Sequence, residues 1–124
     1  MDSVWNVRLD GRGPVYLQMV KHIKTLILLK KLASGDRLPS RREAAAALEV
    51  NPNTVQKAYR LMEEEGFVRT DGNQGSVIYL DEALYARIEE ELTRGLTADF
   101  VAEAKAAGLT FKHVIDLVSE LWEG

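Results

Sequence analysis

Apolar positions recur along this chain at two different spacings, and the change of spacing marks its elements. Behind Pro14, the residues Tyr16, Met19, Val20, Ile23, Leu26 and Ile27 return every three to four positions, while Lys21, Lys24 and Lys31 fall on other faces. That is the pattern of a helix with one buried side, and Ser34-Gly35-Asp36 predicts its end. Arg37-Leu38-Pro39 is long enough only for a bridge or a minimal strand. Ser40 and Glu43 then make a Ser-x-x-Glu capping box, which starts a second helix filled by Ala44 to Ala47 and Leu48. A third helix opens at Asn51-Pro52, a good N-cap followed by the residue that suits the first helical position. Val55, Ala58, Tyr59 and Met62 form its inward stripe, and Gly66 ends it.

After Gly66 the spacing changes. Phe67 to Thr70 and Ser76 to Leu80 are short runs rich in β-branched and aromatic residues. Between them lies Asp71-Gly72-Asn73-Gln74-Gly75, tolerant of positive φ, so the pair reads as a β-hairpin. From Asp81 the helical pattern resumes with Leu84, Ile88 and Leu92. Gly95 is expected to interrupt it before Leu96, Phe100, Val101, Ala104 and Ala107 continue the stripe. Gly108 breaks the chain again, and Thr110 caps a last helix with Val114, Leu117, Val118, Leu121 and Trp122 on one side. Residues 1–13 read as extended, with Trp5 packed on the domain.

The fold class expected is mainly α with a small β-hairpin wing. Residues 1–80 form a winged helix-turn-helix, because a short helix, a tight turn and a second helix with a polar nose make that pattern. Residues 81–124 form a helical tail of two or three helices. A unit of 44 residues rarely buries enough surface alone. With no cysteine and no visible metal set, its apolar stripe must pack on the first domain or on a second copy, and a two-fold dimer is the preferred solution. The residues expected to serve that dimer are Leu84, Ile88, Leu92, Phe100, Val101, Val114, Leu117, Val118, Leu121 and Trp122.

Charge sharpens this division. Residues 1–80 carry 12 Lys/Arg against 9 Asp/Glu, a net +3, and residues 81–124 carry 4 against 10, a net −6. The overall charge of −3 therefore hides a mildly basic head and an acidic tail, and affinity for a polyanion is decided locally. The absence of cysteine removes disulfides, thiolate metal sites and a cysteine nucleophile. His22 and His113 stand apart, His22 facing solvent or an interface and His113 structural. No Gly-rich phosphate loop or nucleophile elbow appears, and Glu63-Glu64-Glu65 and Glu89-Glu90-Glu91 read as solvated helix faces. No enzyme activity, metal or cofactor is expected. The N-terminus lacks a signal-peptide pattern and no apolar run nears the ~20 residues of a membrane span. A cytoplasmic protein with no membrane partner follows.

The candidate chemistry lies on the third helix. Asn53, Thr54, Gln56, Lys57 and Arg60 fall off its apolar stripe, giving a neutral, hydrogen-bonding nose with cations behind. Amide side chains suit major-groove base edges, where they can pair with adenine. Arg41 and Arg42 stand in the first turn of the second helix, where the helix dipole disfavours cations. Two arginines there suggest an external anion such as a phosphate.

These residues carry a family resemblance. Gly13-Pro14-Val15-Tyr16-Leu17-Gln18, Gly35-Asp36-Arg37-Leu38-Pro39-Ser40-Arg41-Arg42-Glu43, Val50 through Arg60 and Glu65-Gly66-Phe67-Val68 together resemble the GntR family of bacterial transcription regulators, and within it the YtrA-like subgroup. The resemblance covers roughly residues 5–80. The tail is similar only in length and helical pattern to the short YtrA-type dimerisation tail. It implies a winged helix-turn-helix that binds double-stranded DNA as a homodimer, usually as a repressor at an inverted-repeat operator. Arg42 falls where the family has a DNA-contacting arginine. Asn51, Pro52, Asn53, Thr54 and Gln56 fall on contact positions of the recognition helix, and Gly72, Asn73 and Gln74 on the wing tip. Asp71 and Gln74 stand where cations are common, so the wing is expected to grip phosphate less strongly. The tail is too short for the ligand domain of larger members, so any small-molecule effector would act at a dimer-interface pocket or through a partner protein. The competing reading is a winged-helix protein-interaction module without DNA binding, supported by the acidic pI of 5.4.

Overall fold

The structure is a computed structural model, which describes residues 4–72 and 75–124. Contacts divide the chain into two compact units, Met1–Glu89 and Glu90–Gly124.

The first unit begins with helix α1 (Val15–Leu28) behind Pro14. This helix ends at Leu28 and not at the expected Ser34-Gly35-Asp36. Lys30 takes a left-handed φ of 64°, and the amides of Lys30 and Lys31 fold back onto the carbonyls of Ile27 and Leu26 at 3.1 and 2.8 Å. That closure is a Schellman motif, normally made by Gly, and it leaves no local sequence signal when Lys occupies the position. Helix α2 (Arg41–Leu48) carries both halves of its capping box: Glu43 N–H donates to Ser40 Oγ at 3.0 Å and Ser40 N–H to Glu43 Oε1 at 2.9 Å. Glu49, left-handed at φ 54°, turns the chain into helix α3 (Pro52–Glu65). Gly66 closes α3 with φ 93°.

Strands β1 (Val68–Asp71) and β2 (Gly75–Ile78) pair antiparallel, with Val68 opposite Ile78 and Asp71 opposite Gly75. Arg37 bridges Val77 on the other edge of β2. Leu38 N–H donates to Ser76 O at 2.9 Å, and Ile78 N–H to Asp36 O at 2.8 Å. The α1–α2 link thus adds a minimal third strand, and the hairpin is tied to the helices rather than left as a free ribbon.

The core forms where the predicted stripes meet. Met19, Val20, Ile23 and Ile27 of α1, Ala44 of α2, and Val55, Ala58, Tyr59 and Met62 of α3 are buried, with Phe67, Val68 and Ile78 from the hairpin. Trp5 is buried as expected, although the segment around it forms no strand. His22 is half-buried, not solvent-facing. Its Nε2 lies 2.7 Å from Val4 O and its ring 5.8 Å from Trp5, so it anchors the N-terminal segment.

Helix α4 (Glu82–Ala106) begins in the first unit and continues into the second. Asp81 Oδ1 accepts from Leu84 N–H at 2.8 Å and starts it. Ile88 is only 1% exposed in the single chain, and Arg87 donates to the carbonyl of Glu65. Ile88 is therefore corrected from a dimer contact to a core residue: its own chain already covers it. The expected break at Gly95 is also corrected. α4 runs straight through it, because one glycine costs a helix only about 1 kcal/mol and both flanks are helix-forming, with Glu90 and Arg94 paired at 2.6 Å.

In the second unit, α4 ends at Ala106 and the chain turns at Gly108, φ 81°, with Leu109 N–H on Ala104 O at 3.0 Å. Helix α5 (Phe111–Glu123) is capped by Thr110, which accepts from His113 N–H at 3.2 Å. None of α5 is buried. Among the described residues, no helix is long and apolar enough to cross a membrane.

A side chain added at Gly95 meets nothing within 4 Å. Gly95→Ala is therefore expected to stabilise the helical tail by about 0.5–1 kcal/mol, seen as a higher midpoint in urea unfolding followed by circular dichroism. A lower midpoint would show that the helix is not continuous there.

Candidate nucleic-acid interface

The α3 nose is built by its cap. Asn51 Oδ1 accepts from Asn53 N–H at 2.7 Å, Thr54 N–H reaches Asn51 O at 2.9 Å, and Pro52 has no N–H to satisfy. The first-turn donors are spent internally, so this helix end offers little to an anion. What it presents is side-chain chemistry. Asn51, Asn53, Gln56, Lys57 and Arg60 are exposed, and Thr54 is half-buried. Asn51 keeps its amide NH₂ as a donor, since capping uses only its oxygen. Beneath them Val55, Ala58, Tyr59 and Met62 are fully buried, which fixes the face that α3 shows outward.

The pose of α3 is set by Tyr59. Its hydroxyl donates to Pro39 O at 2.6 Å and accepts from Trp5 Nε1 at 3.2 Å. One side chain thus joins the N-terminal segment, the start of α2 and the middle of α3. Burial pushes its hydroxyl up to about 12, against the smaller opposing influences of the Trp5 hydrogen bond and the nearby Arg41 charge. The phenol is neutral at any ordinary pH.

Arg41 joins the same cluster. Its Nη2 lies 2.5 Å from Glu63 Oε1 on α3, and its guanidinium carbon is 5.4 Å from the centre of the Tyr59 ring. Its Nε is buried without a hydrogen-bond partner. The expectation of Arg41 as a phosphate contact meets a competing partner here, because its guanidinium pairs with Glu63 while staying partly exposed. Glu43 also answers the positive end of α2. Hydrogen bonds from the Ser40 backbone and side chain, with a smaller contribution from Arg37, hold its carboxyl below the usual range. Arg42 is exposed on the same turn.

Lys57 lies with its Nζ 4.6 Å from the centroid of Tyr16 on α1. On the wing, Gly72 is exposed, while Asn73 and Gln74 lie outside the described residues. Sequence reasoning missed Arg69. It stands opposite Val77 on the hairpin and stacks on Tyr79, 3.4 Å from the ring centroid. Arg37 bridges the other side of Val77, so the two arginines flank one row of the sheet. The alternation of Val68 inward and Arg69 outward was the available signal.

The tail residues divide. Leu84, Leu92 and Val114 are half-buried, whereas Phe100, Val101, Leu117, Val118, Leu121 and Trp122 are exposed. Phe111 and Ile115, not singled out by the sequence pattern, extend the same uncovered surface. Trp122 is 83% and Phe111 80% exposed. Large aromatic residues are rarely left in water in that number on one short helix.

Comparison with known proteins places these features in context. Residues 15–78 match the model of the bacterial regulatory proteins, gntR family. The chain is 37% identical over 117 residues to the HTH-type transcriptional regulator YhcF of Bacillus subtilis (strain 168), covering 94% of this chain and 97% of that one. It is 32% identical over 123 residues to the HTH-type transcriptional repressor YtrA of the same organism, covering 93% and 91%. Among solved structures, a GntR family transcriptional regulator from Listeria monocytogenes superposes with a TM-score of 0.78 at 33% identity, over 90% of this chain and 98% of the other.

Tyr59→Phe keeps the ring but leaves Pro39 O and Trp5 Nε1 without their partner. It is expected to cost about 1–3 kcal/mol of stability. Because the folded hydroxyl holds its proton above its ordinary value of 10, the parent contribution is complete below pH 10 and is lost as pH rises toward 12. Chemical denaturation at pH 7 and across pH 10–12 checks both: the variant loses stability at pH 7 and shows a shallower alkaline decline. An unchanged midpoint would remove Tyr59 from the centre of the fold.

Proposed function

The chain belongs to the gntR family of bacterial regulatory proteins and is a DNA-binding transcription regulator, and from that premise we propose that it is a cytoplasmic, homodimeric repressor of an inverted-repeat operator. Family membership sets aside the alternative of an interaction module that binds no DNA. In the proposed division of labour, the winged helix-turn-helix of residues 1–80 binds DNA. The tail of residues 81–124 pairs the copies, with the root of α4 belonging to the packing of the head.

The observation that carries this reading is the outward amide face of α3 above a fully buried stripe. Asn53, Thr54 and Gln56 read base edges in the major groove, and Asn51 contributes a donor at the groove entrance. A good bidentate pair is worth about 1–3 kcal/mol of discrimination. Arg42 and Lys57 neutralise phosphates beside the groove, and Gly72, Asn73 and Gln74 let the wing tip approach the backbone. Arg69, exposed and with its guanidinium over the Tyr79 ring, supplies a cation toward phosphate that Asp71 and Gln74 do not. Arg41 is a positioning residue, holding α2 to α3 through Glu63.

The dimer reading rests on α5, none of whose apolar residues is buried. A second copy is the partner that every molecule of this chain meets, and a two-fold contact satisfies the same stripe on both. The acidic tail is repelled by DNA and leaves the basic head to dock. A two-fold protein reads a two-fold site, and occupancy of a promoter excludes polymerase. The repressor sign follows the YtrA relative, which is named as a repressor.

Mobility-shift titrations at two salt concentrations separate the roles. Arg42→Ala is expected to weaken binding to all sequences and lower the salt slope by about 1. Gln56→Ala is expected to relax one base position and leave the slope alone. Arg41→Ala is expected to lower stability while keeping the slope. Equal slopes for Arg42→Ala and the parent would reject the phosphate assignment. Separately, Leu121→Asp together with Trp122→Asp is expected to yield monomers in sedimentation velocity with the far-ultraviolet spectrum retained; persistence of the dimer would move the interface elsewhere.

A further inference from the structure

Where α1 ends and α4 begins, the first unit holds an open-sided cavity of about 490 Å³, within the size range of small-molecule sites. Its floor is apolar, with Ile27 and Leu32 buried and Leu80 half-buried. Its rim carries one aromatic face and three charges. Lys30 Nζ lies 3.8 Å from the centroid of the Tyr85 ring, so the ring face already holds a cation at close range. Asp81 and Glu82 complete the lining, giving two carboxylates to one ammonium. None of these groups takes part in the DNA-facing surface described above.

We propose that this cavity is a binding site for a small amphipathic organic cation. Its ammonium replaces that of Lys30 over Tyr85, and its apolar part covers Ile27, Leu32 and Leu80. Three independent features support the choice. The ring face holds an ammonium in the free protein, which shows that the geometry suits one. The present occupant is a tethered side chain on an exposed residue, able to swing into water when displaced. With Asp81 engaged in capping α4, the exposed Glu82 carboxylate beside it is matched by a positive ligand and opposes a negative one. The occupant would bind α1 to the first turn of α4, at the place where Lys30 holds its left-handed backbone. The site stands on these residues alone, so its failure and the failure of the DNA reading are separate results.

The probe is benzyltrimethylammonium, with benzyl alcohol as the neutral and benzoate as the anionic control, titrated into the full chain and followed by amide chemical shifts. Saturable shifts confined to residues 27–34 and 80–85 are expected for the cation alone. The sign of the Lys30→Ala effect is the sharper readout. Removing the competing ammonium is expected to tighten cation binding about two- to fivefold, while Tyr85→Leu weakens it by at least that factor. The Lys30 change is at the surface and keeps the test valid if Tyr85→Leu fails to fold. The proposal is overturned if the cation gives no saturable shift, if benzoate binds as well, or if Lys30→Ala weakens the cation.

Discussion

The hydroxyl of Tyr59 is where three separate stretches of this chain become one object. It donates to Pro39 O, it accepts from Trp5, and its ring lies against the Arg41 guanidinium that pairs with Glu63. Without it, the pose of α3 against α2 would rest on the partly exposed Arg41–Glu63 pair and on small apolar contacts such as Ala44, which are close but not directional. A buried hydrogen bond is directional, and leaving its partners unmade is costly. The wedge presented to DNA is therefore as rigid as this cluster. That rigidity matters because base reading depends on amide groups meeting base edges within ordinary hydrogen-bond geometry.

The same arrangement separates two kinds of work along α3. The cap consumes the first-turn amides, so the nose offers side chains and not a bare positive helix end. Cations stand further back and to the sides, and several are held by aromatic rings: Lys57 over Tyr16, Arg69 over Tyr79 and Arg41 beside Tyr59. A ring fixes the direction of a long basic side chain without neutralising it, whereas a carboxylate does both. Arg41 is paired with Glu63, whereas Arg69 lies over Tyr79, and in the proposed reading the first positions α2 and the second serves a phosphate. The arginine pair at the start of α2 divides in its surroundings, Arg41 against Glu63 and Arg42 exposed.

Much of this was legible in the sequence because the signals are local. The Ser40–Glu43 box, the Asn51-Pro52 start and the Gly66 stop each involve residues within a few positions, and each stands where it was expected. The inward stripes of α1 and α3 were equally plain. What was hidden is non-local or runs against type. Glu63 is 22 positions from Arg41, and no periodicity joins them. Lys30 takes a conformation that Gly would advertise. Gly95 looks like a stop yet lies within a helix whose flanks propagate through it. Ile88 reads as one member of an interface stripe, yet it is already buried within the single chain. A stripe shows which side of a helix is apolar, but the neighbour that covers it depends on the fold.

Two copies of one amide-bearing wedge are proposed to read duplex DNA. Selection of bound fragments from a random duplex pool, carried out with the full chain, tests this most directly. The expected result is an enriched motif made of two inverted half-sites, each with adenine at a position lost from the motif selected by a Gln56 variant. A pool that returns no enriched sequence, or a single half-site without its inverted mate, would contradict it.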